Sequence, residues 1–332
     1  MGLLDPLHSL IAEYPFLTLI VGFIALGWSA DRFVNASAAA AKNLGVSKIV
    51  IGLTAIAVGT SAPEIMVGIQ SSLKDLGQIA IGNAIGSNIA NMGLVLGITA
   101  LVSPLPFADN TLKHEMPWLI GATLLTFVCL FTGAGEDHYL GVLDGLALLA
   151  GLAVILFLLA RKNRATPEDL DAELAELPDM SSLKSLAWFV VGLIVLLASA
   201  HVLVEAAEAV AVEFRVSPLV IGLTIVAVGT SLPELSVTVA AARQGHPELA
   251  IGNVVGSNIL NILAVLAIPA LLDPQRIGVE VLWRDYGMMF ALTALLVLLA
   301  FAIGSRKVIT RFEGLVLLAA WIGYTFILYH QG

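Results

Sequence analysis

Residues 50–64 read VIGLTAIAVGTSAPE and residues 220–234 read VIGLTIVAVGTSLPE, with twelve of the fifteen positions identical. A second block follows each copy at the same distance. It reads AIGNAIGSNIAN at 80–91 and AIGNVVGSNILN at 250–261, nine of twelve identical. Both pairs are offset by 170 residues, and that offset also carries Pro104 onto Pro274 and Glu115 onto Asp285. Shifted by one residue, Asp144-Gly145 falls on Glu313-Gly314. Self-similarity at a fixed offset marks an internal duplication, and this one covers nearly the whole chain.

The duplicated blocks sit in a chain of 332 residues that is 58% hydrophobic and only 12% charged, with mean hydropathy +0.95. Soluble domains carry about 25% charged residues. Half that fraction leaves too little polar surface to face water, so most of the chain must face lipid. A spanning helix takes roughly 20 apolar residues. Ten apolar stretches meet the requirement, at about 16–41, 49–72, 78–102, 116–133 and 139–160, then 185–210, 218–241, 249–272, 285–303 and 313–329. The expected fold is an all-α polytopic membrane protein with ten transmembrane helices. Residues 1–160 form a first five-helix repeat, 161–184 a polar linker, and 185–332 a second five-helix repeat.

Five spans separate the two motif copies. That number is odd, so the copies thread the membrane in opposite senses and make two inverted repeats. Secondary transporters built this way place their sites near the midplane, where the repeats meet. Eleven Lys and Arg residues near span ends fall on the side of the linker and four on the other. Basic residues concentrate on the cytoplasmic side. The linker is therefore expected in the cytoplasm, with both termini and the Gly135-Glu136-Asp137 loop outside. The first basic residue is Arg32, so the opening stretch lacks the positive region of a cleavable signal. The single cysteine, Cys129, has no partner for an intrachain disulfide. A net charge of −9 argues against a nucleic-acid partner.

Glu64 and Glu234 close the first block of each copy, mid-span and in segments nearly free of other charge. An ionisable group at that depth is costly and points to function. Two such carboxylates brought together repel, and a hard cation relieves them. Calcium takes about six to eight oxygens from carboxylates, carbonyls and waters. Pro63 and Pro233 lack an N–H and clash with the carbonyl four residues back. They are expected to free carbonyls around Ala57–Thr60 and Ala227–Thr230, with Gly59 and Gly229 easing the unwinding. The carbonyls of Thr60 and Thr230, one turn before each Glu, are the best neutral ligands. In the second block, Ser87 and Asn91 share one helix face, as do Ser257 and Asn261. Gly82, Gly86, Gly252 and Gly256 permit close helix approach. Asn83, Asn88, Asn253 and Asn258 suit either the site or interhelical hydrogen bonding. Asp31 can pair with Arg32 or face the cytoplasmic end, and His201 with Glu205, four residues on, reads as a local pair. Glu115, Asp285, Asp144 and Glu313 read as helix caps. No His/Glu zinc spacing and no Ser/His/Asp cluster appears, which disfavours an intramembrane enzyme. A channel is disfavoured because each carboxylate occurs once, with no ring to form a filter.

The paired G-T-S-x-P-E and G-N-x-x-G-S-N-x-x-N blocks resemble the α-repeats of the calcium/cation antiporter superfamily, and within it the prokaryotic sodium/calcium exchangers. The resemblance places the α-repeats at about 49–102 and 218–272. It implies sodium/calcium antiport in a cell membrane, with no cofactor, no obligatory protein partner, and calcium and sodium as cargo. Proton coupling is the alternative. Residue by residue, it implies that Glu64 and Glu234 bind both ions and that the Thr60 and Thr230 carbonyls bind calcium. Ser87 and Ser257 become outer sodium ligands, with oxygens from Ser61, Ser231, Ala57 and Ala227, and Asn91 and Asn261 complete the centre. Some relatives, the potassium-dependent exchangers among them, carry Asp where Asn261 stands. The neutral Asn leans away from potassium dependence. The second block lacks the Glu and His usual in proton/calcium relatives, which leans toward sodium.

Overall fold

A computed structural model describes residues 13–45, 51–75, 77–107, 115–131, 138–162, 178–213, 227–301 and 307–331. The first half contains α1 (Pro15–Leu44), a π turn (Gly52–Ile56) running into α2 (Ala57–Thr60), and α3 (Ala62–Ser72). It continues with α4 (Gly77–Ala90), a π turn (Asn91–Val95), α5 (Leu96–Val102), β1 (Leu105–Pro106), α6 (Met116–Phe131), β2 (Tyr139–Leu140) and α7 (Val142–Lys162). The second half repeats this order. It contains α8 (Ser182–Glu213), α9 (Ala227–Thr230), α10 (Leu232–Arg243), α11 (Pro247–Leu260), a π turn (Asn261–Val265) and α12 (Ala267–Leu272). Then come β3 (Gln275–Arg276), a π turn (Val281–Tyr286), α13 (Gly287–Phe301), β4 (Val308–Ile309) and α14 (Arg311–Gln331). The duplication read from sequence is thus a duplication of structure. The counterpart of the Gly52–Ile56 turn, residues 222–226, lies outside the described residues, as do most of the 161–184 linker and the 135–137 loop.

Six helices among the described residues are long and apolar enough to cross a membrane, and α6 and Val142–Leu158 of α7 are shorter apolar helices. In their described parts the two motif segments are not single helices, running as α2 and α3 in the first half and α9 and α10 in the second. Each is interrupted at a serine, Ser61 (φ −81°, ψ 9°) and Ser231 (φ −88°, ψ 1°). These are bridge-region angles, and each precedes a helix with Pro near its first position. The ring of Pro63 or Pro233 cannot continue the preceding helix, so the chain breaks and restarts.

Burial sorts the helices into centre and rim. The stretches Gly77–Val102 and Pro247–Leu272 are 78% and 83% buried, against 11% for Arg311–His330 and 28% for Ser182–Val202. The rim exposes Phe16, Ile24, Leu143, Leu183 and Phe326, an apolar surface of the kind lipid covers. On that rim α1 and α8 pack along each other, with Phe33 and Phe189 rings 4.7 Å apart and Gly192 seated on Phe33.

The two halves grip one another crosswise. The last helix of each packs on the centre of the other, α7 on α12 and α14 on α5. A Cβ added at Gly145 would lie 3.0 Å from Ala270 Cβ, and one at Gly314 would lie 2.8 Å from Ala100 Cβ and 2.9 Å from the Gly97 carbonyl. Antiparallel strand pairs β1–β4 and β2–β3 also join opposite halves.

Several expectations change here. A Cβ added at Gly82 or Gly86 would meet no atom within 4 Å, whereas Gly252 does make a close approach, its Cα 3.2 Å from a Cβ added at Gly52. Asp285 is not a cap. It sits inside a π turn, doubly bonded to Arg284 (2.7 and 3.0 Å) and accepting from Tyr324 Oη at 2.8 Å. Asp144 and Glu313 do cap, accepting from the backbone N–H of Gly141 and Thr310. Glu115 is buried at the start of its helix. Asp31 is held by Gln244, whose Nε2 donates to its Oδ1 at 3.1 Å. His201 and Glu205 pair at 3.1 Å.

Candidate functional site

The motif segments meet at the centre with their roles exchanged between halves. The turn bearing Thr60 packs on α11, which bears Ser257, and the turn bearing Thr230 packs on α4, which bears Ser87. Likewise α3, bearing Glu64, packs on the Asn261–Val265 turn, and α10, bearing Glu234, packs on the Asn91–Val95 turn. Each carboxylate is therefore surrounded by oxygens from both copies.

Around Glu234 the partners are explicit. Its Oε1 accepts from Ser61 Oγ at 3.0 Å and from Ser257 Oγ at 3.4 Å. Thr60 Oγ1 stands 3.5 Å from Ser257 Oγ and donates to Asn253 Oδ1 at 3.1 Å. Around Glu64 the mirrored set, Thr230 and Ser87, faces the carboxylate, with Glu234 as its charged neighbour. No hydrogen bond satisfies either Glu64 oxygen. Both glutamates are fully buried.

Unpaired buried oxygens are the feature that calls for a ligand. Glu64 Oε1 and Oε2, Glu234 Oε2, Asn91 Oδ1, Asn261 Oδ1 and Ser231 Oγ are all buried without a hydrogen-bond partner. Orphaned buried polar atoms are rare in folded proteins, and an unpaired buried carboxylate is dearer still. Hard cations are the class of ligand that such oxygens bind. The donor set is oxygen only, and among the described residues no group of three His, Cys, Asp or Glu is gathered. Carboxylate, hydroxyl and amide oxygens suit hard cations, whereas thiolate and imidazole suit softer metals.

Two sequence expectations take a different form. The Ala57 carbonyl is engaged, accepting from Ser61 N–H at 2.9 Å with Thr60 Oγ1 3.4 Å away. The Ser61 N–H takes one lone pair of that carbonyl, and the Thr60 hydroxyl proton goes to Asn253, so a second lone pair stays open to a cation. Ala227 opens the matching turn in the second half. The asparagines left undecided act between helices. Asn83 and Asn253 each donate to the backbone carbonyl of the glutamate nineteen residues earlier, at 3.3 and 3.4 Å. Asn253 also donates to Thr238 Oγ1 at 2.9 Å and accepts the Thr60 hydroxyl. Asn88 and Asn91 reach across to the Asn258 carbonyl and side chain.

Thr238 and the π turns at Asn91 and Asn261 were not singled out from sequence. Thr238 has an ordinary helical position, and Ser or Thr inside a helix is common. A π turn is often found at functional sites, but nothing in its composition marks it beforehand.

The Ser61 hydroxyl offers a graded test of this geometry. A hydrogen bond to a charged group contributes about 1.5–3 kcal/mol. Ser61→Ala should therefore weaken cation binding at this site about tenfold, equivalent to roughly 1.4 kcal/mol, in a titration of the purified protein with hard cations. Unchanged binding would remove Ser61 from the site.

The profile described as "Sodium/calcium exchanger protein" matches residues 14–161 and again 184–330. The putative antiporter CaxA of Alkalimonas amylolytica is 42% identical over 94% of this chain and 97% of its own length. The sodium/calcium exchanger MaX1 of Methanosarcina acetivorans is 34% identical over 95% and 98%. A structure of the sodium-calcium exchanger NCX_Mj, soaked with sodium and calcium, superposes with TM-score 0.78 at 32% identity, covering 93% of this chain and 96% of the other.

Proposed function

This chain belongs to the sodium/calcium exchanger protein family, and on that footing we propose that it exchanges sodium for calcium across a cell membrane by alternating access. Ten spans in two inverted halves, with the linker cytoplasmic and both termini outside, complete the reading. The observation that carries it is the buried pair Glu64 and Glu234, with its unpaired oxygens drawn from both motif copies.

The chemistry follows from charge. Two carboxylates are neutralised by one calcium ion, or by several sodium ions that recruit the hydroxyl oxygens of Ser61, Ser87, Ser257 and Ser231 and the carbonyls of Thr60 and Thr230. Calcium and sodium compete because they need the same carboxylates. An empty site retains two buried charges, which are expensive to carry across the membrane. Transport then proceeds only when the site is filled, and that coupling makes the protein an exchanger. The α1–α8 pair on the rim supplies a moving element that can slide across the fixed centre. If three sodium ions exchange for one calcium, one net charge moves per cycle, worth about 2.3 kcal/mol per 100 mV.

The test is calcium-45 uptake into proteoliposomes loaded with sodium, potassium or choline, with and without a pH gradient. Sodium-loaded vesicles should accumulate calcium and the others should not. Uptake driven by a pH gradient without sodium would overturn the reading in favour of proton coupling.

A further inference from the structure

An open cavity of about 540 Å³ lies away from the ion site, between α1 and the end of α10. Its charged lining is Arg32, Arg243 and Asp31, with His246 beside them. Two guanidiniums face one carboxylate, and that carboxylate already accepts from Gln244. Among the described residues neither Arg32 nor Arg243 has a carboxylate partner. Arg32 is held instead by stacking, its guanidinium carbon 5.9 Å from the Trp28 ring and 5.5 Å from the Trp188 ring. Cation–π contact fixes the side chain without neutralising it, so the cavity keeps a net positive charge.

Depth and neighbouring surface narrow the ligand. Arg32 is seventeen residues beyond Pro15. At about 1.5 Å per residue this is roughly 25 Å along α1, close to the far boundary of a hydrocarbon core about 30 Å thick. Trp28, one turn earlier, stands at the level where indoles collect. Ile20, Ile24 and Trp28 recur at four-residue spacing along α1 and are 60%, 67% and 44% exposed. That stripe leads along the helix into the cavity. An acyl chain lying on it would bring a headgroup phosphate between the two arginines.

We propose that this cavity binds the phosphate of an anionic glycerophospholipid, held between Arg32 and Arg243 with its acyl chain along Ile20, Ile24 and Trp28. Arginine suits this task because its planar fork matches phosphate oxygens in pairs. Basic cavities between spans on the cytoplasmic side are suited to anionic headgroups. The bound lipid would tie α1 to α10, the helix that carries Glu234. The cytoplasmic placement rests on the topology proposed above and this last consequence on the exchange reading; the binding itself depends on neither.

The experiment is native mass spectrometry of the full chain after mixing with phosphatidylglycerol, with phosphatidylcholine, and with phosphatidylglycerol plus inorganic phosphate. The wild-type protein should retain phosphatidylglycerol over phosphatidylcholine. Arg243→Gln should lower that retention about tenfold, as loss of about 1.4 kcal/mol of binding requires, while Arg243→Lys restores part of it. Thermal melting of both variants checks folding. Equal retention of phosphatidylcholine, undiminished retention in Arg243→Gln, or displacement by an equal concentration of inorganic phosphate would each overturn the proposal. None of these outcomes bears on sodium-driven calcium flux, so the two readings fail separately.

Discussion

Glu64→Gln is expected to abolish sodium-driven calcium uptake while leaving the protein folded. Glutamine keeps the shape of the side chain and removes its charge. Glu64 is fully buried, and the glutamine amide oxygen remains an acceptor for the Thr230 and Ser87 hydroxyls that face it. The main effect therefore falls on the cation. Two unit charges in contact interact by about 4 kcal/mol at an effective dielectric near 20. Calcium doubles the charge on one side, and desolvation returns part of the gain. Even about 2.7 kcal/mol of net loss is roughly a hundredfold. Calcium-45 flux into sodium-loaded proteoliposomes should fall by at least that factor. Glu234→Gln should match it, although Glu234 also loses the acceptor strength that Ser61 and Ser257 now use. A melting temperature close to wild type separates loss of transport from loss of fold. Uptake that persists in Glu64→Gln would end the shared-carboxylate assignment.

The second large effect is on stability, at Gly314→Leu. A Cβ at this position would lie 2.8 Å from Ala100 Cβ, 2.9 Å from the Gly97 carbonyl and 3.3 Å from the Leu101 backbone nitrogen. These neighbours are backbone or the stub of an alanine, and none can rotate away. Overpacking of this kind costs about 1–3 kcal/mol, and the whole α14–α5 interface must open to admit the branch. A fall in melting temperature on the order of 5 °C is expected, followed by fluorescence-detected size exclusion. Gly323→Leu is the internal control. It lies on the same helix and meets nothing within 4 Å, so it should melt like wild type. Equal melting of the two variants would mean that α14 does not pack as described.

The duplication, the helical class and the positions of most elements were legible because they depend on composition and period. Span ends fall within a few residues of the helices found, as with 285–303 against Val281–Phe301. The breaks at Ser61 and Ser231 were also readable, since proline has few alternatives inside a helix. Interhelical contacts were harder. Gly82 and Gly52 look alike in sequence, yet only Gly52 meets a facing backbone, and that depends on which helix arrives opposite. Asp285 looked like a cap because it opens an apolar run. Its pairing with Arg284 and Tyr324 depends on a helix that begins earlier than the run suggests. At the site, the residue types were plain, but the state of each oxygen was not. Ser61 and Ser231 occupy the same place in the two copies. In space the Ser61 hydroxyl donates to Glu234, while the Ser231 hydroxyl is without a hydrogen-bond partner.

The crosswise grip between halves makes each half a keystone for the other. The final helix of each carries a notch, Gly145 or Gly314, that the other half fills through α12 or α5. A change that closes either notch is therefore felt at the seam between the halves rather than within one of them.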